Sequence, residues 1–215
     1  MKAGSVETFS GLADNVAKYP RLLLYAHGDL NSPAASAGRI AALKDTFKAT
    51  GIYPFHFMHD TCLAEELKDI IIGKADESEG RAGGFTDFTD AIVEALVGRI
   101  GGAVWDEMKD GADQAFAADG AGTQVLDVIA EQLAGKAIGV HILGHRAGAI
   151  FMGECLSRIA EMGAWPFEIR TLTLMAPACR TGFYADHYVP RIKPGSATAG
   201  EIGSFALYCM NDERA

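Results

Sequence analysis

Cysteine is scarce in this chain, and what there is does not pair by spacing. The four cysteines are Cys62, Cys155, Cys179 and Cys209, and no C-x-x-C occurs. That excludes a zinc knuckle or a disulfide framework read from spacing. Three of the four lie in apolar runs, where a thiol behaves as a small hydrophobe, so buried free cysteines are expected. No apolar run reaches the roughly 18–20 residues that a spanning helix needs, which excludes a membrane span. The opening MKAGSVETFSGLADNVAKYP has no apolar h-region, so no signal peptide is expected, and the expected location is cytoplasmic. Basic charge is also short. Nineteen Lys and Arg against 28 Asp and Glu leave a net charge of −9, which argues against nucleic acid as the partner. No H-E-x-x-H is present either, and neither a cofactor nor a metal is expected.

The composition is that of a folded chain. Apolar residues make up 49% and charged residues 22% of 215 positions, which suits one domain with a sizeable core. Five short apolar runs read as strands: 21–26 (RLLLYA), 53–58 (YPFHFM), 137–143 (AIGVHIL), 169–175 (IRTLTLM) and 204–210 (SFALYCM). They are continuous rather than alternating, as expected of strands covered on both faces. Helical patterns separate them. In 36–50, Ile40, Leu43 and Phe47 share a face; in 147–162, Ile150, Phe151, Cys155 and Ile159 do, opposite Ser157, Arg158 and Glu161. The alternation implies right-handed crossovers and a mostly parallel sheet in an α/β three-layer sandwich. The segment 73–136 shows no strand and reads as a helical insertion within a single domain, 1–215. Its helices are expected over 86–110 and from about 123 to 134. Ordinary crossover helices and a mobile lid are both open readings of its glycine-rich joints.

Two motifs follow strands. His27-Gly28-Asp29-Leu30 comes directly after the first, and Gly144-His145-Arg146-Ala147-Gly148 after the third, with helices beyond. The second has the form of G-x-S-x-G with arginine in place of serine. In this order the two motifs resemble the α/β-hydrolase superfamily, in its esterase/lipase-like branch, over most of the chain from Arg21 to about Asp212. The resemblance implies an acyl hydrolase acting on a carboxylic ester or related substrate. It implies a strained elbow at residue 146 and oxyanion-hole amides from Ala147 and from Asp29 or Leu30, with His27 fixing the loop. It places the triad acid at Asp212, with Glu213 as the near alternative. The triad histidine should come later still, so a final strand and its histidine segment are expected to be missing.

Arg146 cannot replace the serine. A guanidinium stays protonated and offers no lone pair for attack on a carbonyl carbon. The chain is therefore expected to be catalytically dead as a serine hydrolase, whether the arginine is natural or introduced. Arg146 would stand at a helix N-terminus, where it could grip a carboxylate bidentately. That leaves a carboxylate-binding pseudoenzyme as one alternative, and a partner-binding domain as another, with a homodimer through a sheet edge as its form. The expected ligand in either enzyme-like case is a small acyl compound or carboxylate. Asp29 is expected to point away from the oxyanion hole. His56 and His59, with Asp60, suggest a metal cluster, but without C-x-x-C or H-E-x-x-H beside them a plain strand is preferred. His141 is expected to be a satisfied core residue and His145 a packing residue. Trp105 and Trp165 are expected to pack in the core, and Asp186 is not expected to orient its neighbour His187.

Overall fold

A computed structural model describes residues 18–28, 33–58, 101–163, 165–192 and 201–209, with the side chains of these except 33–36, 101–105 and 107. The element order is β1 (Arg21–Ala26), α1 (Pro33–Ala49), β2 (Ile52–Phe57), α2 (Gly101–Phe116), α3 (Ala121–Gln132), β3 (Gly139–His145), α4 (Gly148–Met162), β4 (Glu168–Met175), α5 (Thr181–His187), α6 (Val189–Ile192) and β5 (Ile202–Tyr208). The five strands form one parallel sheet in the order β2-β1-β3-β4-β5. The fold is the expected α/β three-layer type. From β1 the chain steps outward to β2, then returns to the other side of β1 for β3 and continues to β5. Right-handed crossovers therefore put α1 on one face and the later helices on the other. The direction reverses between β1 and β3. In open α/β sheets, ligands bind at the carboxyl ends of strands at such a switch point.

The core lies under α4. Leu22 and Leu24 of β1, Val140 and Ile142 of β3, and Ile169 and Leu172 of β4 are fully or nearly fully buried. They meet Phe151, Cys155, Leu156 and Ile159 of α4, the apolar stripe that the sequence pattern predicts. Three rings then lock α2 and β2 to α4. Phe151 lies 5.3 Å from Phe57 and 4.8 Å from Phe116, both in the tilted or edge-on geometry that aromatic quadrupoles favour. Gly163, with φ 63°, ends α4 in a left-handed cap.

Several expectations need correction. The helix expected to end at Asp110 continues to Phe116, and Gly101-Gly102 are helical. α3 starts at Ala121, before the expected Thr123. Both helices pack beside α4 as crossovers between β2 and β3. Residues 59–100 lie outside the described residues. The continuous apolar strands are not all covered on both faces. β3 alternates buried and half-buried positions, and in β5 only Ile202 is buried. Among the described residues β5 is the last strand of the sheet and has a neighbour on one side only, and Leu207 and Tyr208 are exposed. The cysteines divide similarly: Cys155 is buried, Cys179 half-buried and Cys209 exposed, all three as free thiols, while Cys62 lies outside the described residues. Trp165 is buried as expected, and Trp105 has no described side chain.

Two backbones touch where β1 ends. A Cβ on Gly28 would stand 1.9 Å from the carbonyl oxygen of His145 and 2.4 Å from Cβ of Arg146. By contrast, a Cβ on Gly111, inside α2, would meet nothing within 4 Å. Gly28→Ala is thus expected to lose about 2 kcal/mol or more of unfolding free energy through overpacking. Gly111→Ala should gain about 0.5–1 kcal/mol from helix propensity. Urea denaturation of the two variants beside the parent checks both signs.

Candidate functional site

The strand-to-helix junction after β3 is a sharp elbow. β3 ends at His145, α4 begins at Gly148, and Arg146 between them has φ 51°. A left-handed conformation costs a non-glycine residue about 1–3 kcal/mol, so the surroundings must impose it. They do so through the main chain. The Arg146 N–H donates to the carbonyl of Met175 at 2.9 Å, and the Arg146 carbonyl accepts from Ala149 at 3.0 Å and from Ala178 at 3.1 Å. The elbow is therefore tied both to its own helix and to the loop after β4.

Small residues make the bend possible. A Cβ on Gly148 would sit 2.1 Å from the carbonyl oxygen of Ala26, and one on Gly144 would sit 3.0 Å from Cα of Ala149. The loop after β1 lies directly against the elbow, because Gly28 has room for no side chain there and its Cβ position falls 2.6 Å from the Ala147 nitrogen. His27, Gly28, Arg146 and Ala147 are thus brought together, as the two motifs predict. Asp29, Leu30, Asp212 and Glu213 lie outside the described residues, as do His59 and Asp60.

The neighbourhood of the elbow concentrates positive and protonatable groups. In register, Tyr25 lies beside His56 on one side and Leu143 on the other. Since side chains alternate along a strand, Tyr25, His27, His56 and His145 share one face of the sheet. The ring of His56 meets Tyr25 edge-on at 4.9 Å, and neither of its ring nitrogens has a hydrogen-bond partner among the described residues. Burial pulls His56 down to about 4, with His27 adding to the effect. His27, only 6% exposed, is lowered first by burial, then by the Arg39 guanidinium and by His145. His145 is lowered by burial, then by Arg146 and Arg39. Arg39 comes from α1. Among the described residues, no group of three or more His, Cys, Asp or Glu could hold a metal ion.

His141, expected to be satisfied, is only half so. Its Nδ1 lies 2.8 Å from Thr171 Oγ1, whereas its buried Nε2 has no hydrogen-bond partner among the described residues.

A second Ser–His–carboxylate group escaped the sequence reading. His187 Nδ1 lies 2.8 Å from Ser157 Oγ, and its Nε2 lies 3.7 Å from Glu154 Oε1. Phe183 stacks on the imidazole at 3.9 Å, over Gly153, where a Cβ would fall 2.4 Å from the Phe183 ring. Asp186 also acts on His187 through its charge, against the larger lowering by burial. Ser157 lies inside α4, where main-chain amides bond the preceding turn, so no oxyanion hole can form beside it. The group pins α5 onto α4. It also borders a cavity of about 500 Å³ lined by Lys109, Ile150, Glu154, Arg180, Phe183 and His187, among others. The i, i+3 spacing of Glu154 and Ser157 was visible as one helix face. Only the fold brings His187 to it.

Compared with the known protein families, the curated proteins and the solved structures, the chain matched none.

Glu154 gives the clasp a pH dependence. Burial first, then Asp113 and Glu161, push its carboxyl from 4.5 up to about 7, with Lys109 opposing. The folded chain then keeps a proton that the unfolded chain releases. The stability this contributes is complete below 4.5 and is lost as pH rises through about 7. Glu154→Gln stays neutral throughout. Its Tm relative to the parent should therefore rise between pH 5 and pH 8. His187, whose shift is downward, titrates in both proteins and largely cancels in the comparison. A Tm difference that is flat or falling over this range would contradict the assignment.

Proposed function

We propose that this chain is an esterase/lipase-like α/β-hydrolase framework silenced at its nucleophile position. The observation that carries the reading is the elbow itself. Arg146 holds φ 51° between a central parallel strand and its helix, with Gly28 packed against it. Such strain is costly, and it serves a purpose where a side chain must be presented at the mouth of a crevice. In an active form of the framework a serine at 146 would attack an acyl carbonyl. The Ala147 amide, at the N-terminal end of α4, and a second amide of the loop after β1 would stabilise the oxyanion. Arginine supports neither attack nor proton relay, so this chain has no acyl-enzyme chemistry. Its free cysteines suit a reducing, cytoplasmic setting. Among the described residues no helix is long and apolar enough to cross a membrane.

A second reading is carboxylate binding without catalysis. It is favoured by the two guanidinium groups, Arg39 and Arg146, that both act on His145.

The framework reading is tested by Arg146→Ser with exogenous imidazole, which supplies a base whatever residue once served as one. Hydrolysis of 4-nitrophenyl butyrate by the variant should exceed that by the parent in the same imidazole buffer by about tenfold or more. Intact-mass analysis should show an acyl adduct, located by peptide mapping at position 146. A variant that folds but acquires no adduct there would remove the basis for the hydrolase lineage. Ser157→Ala in the same background should leave the adduct unchanged.

A further inference from the structure

We propose that the cavity between α2, α4 and α5 binds a small zwitterion of the α-amino acid class, its ammonium on Glu154 and Asp186 and its carboxylate on Arg180 and Lys109. The cavity holds about 500 Å³, within the range of roughly 300–1,000 Å³ typical of small-molecule sites. None of its lining residues belongs to the turn 144–148 or to the loop after β1, so the site is independent of the hydrolase reading. Two carboxyl groups and two cations line it from three elements. Lys109 comes from α2 and Glu154 from α4, while Arg180 precedes α5 and Asp186 lies within it.

These four groups are not paired with one another across the cavity. Among the described residues, the side chains of Arg180 and Asp186 make neither an ion pair nor a hydrogen bond. Lys109 is paired only with its helix neighbour Asp106, at 3.4 Å and largely exposed. Glu154 is the most enclosed of the four, with its side chain 17% exposed. It approaches His187 Nε2 at 3.7 Å, beyond hydrogen-bond reach. An acceptor so enclosed and unbonded calls for donors, and an ammonium supplies three. A cation alone would meet Lys109 and Arg180, and an anion alone would meet Glu154 and Asp186, each with like-charge repulsion. A molecule that carries both charges satisfies both sets. Arg180 suits its carboxylate through charge-assisted, often bidentate hydrogen bonds. Ile150 and Phe183 give its hydrocarbon part an apolar lining.

Proton linkage follows from Glu154. Burial, then Asp113 from α2 and Glu161 from its own helix, hold its carboxyl at about 7, with Lys109 opposing. His187, facing it from α5, is lowered by burial, and Tyr188 just beyond is raised. A bound ammonium favours the ionised carboxylate. Binding therefore releases a proton and tightens as pH rises through about 7.

The test titrates the full chain with three matched probes by calorimetry at pH 6 and pH 8. They are norleucine, hexanoate, which lacks its ammonium, and pentylamine, which lacks its carboxylate. Norleucine should bind at least about tenfold more tightly than either. It should also bind about threefold to tenfold more tightly at pH 8 than at pH 6. Cys179 lines the same cavity as a free thiol, whereas Cys209 is exposed outside it. Saturating norleucine should slow alkylation of Cys179 by N-ethylmaleimide about fivefold or more and leave that of Cys209 unchanged. Glu154→Gln and Arg180→Gln should each weaken norleucine binding about tenfold or more, whereas Arg170→Gln, outside the cavity, should not. No norleucine binding up to about 10 mM, or binding without protection of Cys179, would overturn the site, even if a variant failed to fold. Hexanoate or pentylamine binding as tightly as norleucine would overturn the ligand class. A flat or inverted pH dependence would overturn the part assigned to Glu154.

Discussion

The structure depends on main-chain contact between the end of β1 and the turn after β3. Gly28 and Gly148 lie where the two segments come closer than any side chain permits. That contact brings the last residues of β1 against the start of α4 and sets the helix over the centre of the sheet. It also leaves Arg146 no extended or helical conformation, because its carbonyl must serve both Ala149 and Ala178. The left-handed backbone at 146 is a result of this packing. The geometry of the elbow is therefore set by the main chain around it rather than by the arginine side chain.

Electrostatics at the same place follow from the fold. Parallel strands end together, so residues that are far apart in sequence deliver their last side chains to one rim. Three of those side chains are imidazoles, and the Arg39 guanidinium of α1 helps lower two of them, His27 and His145. The clasp of Ser157, His187 and Glu154 has the residue types of a catalytic triad and none of its setting. It lies half-buried between α4 and α5, with Ser157 inside a helix whose amides bond the preceding turn. The contrast between the two clusters shows that residue identity alone does not define a site. Backbone donors and a crevice must accompany it.

Much of the fold was legible because buried parallel strands leave apolar runs and α4 leaves a 3.6-residue stripe. β1 was read to the residue, and the other four strands to within two residues at either end. The elbow was legible because glycine is needed on both sides of it, at 144 and 148, and again at 28. Three things were not legible. The coverage of β5 depends on its place at the end of the sheet, which no single strand encodes. The continuation of α2 through Gly111 defeated a reading that treats glycine as punctuation, since open space around that residue makes it merely tolerated. The convergence of Arg39 and His56 on the elbow, and of His187 on Ser157, arises from tertiary packing between segments whose local patterns are silent about each other.

The pairing of β1 with β3 also bears on how the chain acquires this shape. Arg21 lies opposite Gly139, and the two strands at the heart of the sheet are separated by the intervening crossover, β2 and all its helices. Closing so long a loop is entropically expensive before any contact rewards it, and topologies of this kind fold slowly. During synthesis the first strand lacks this central neighbour until the third has left the ribosome. The rim that gathers the imidazoles and arginines is accordingly among the last features to exist, and no amino-terminal fragment ending before Gly139 can contain it.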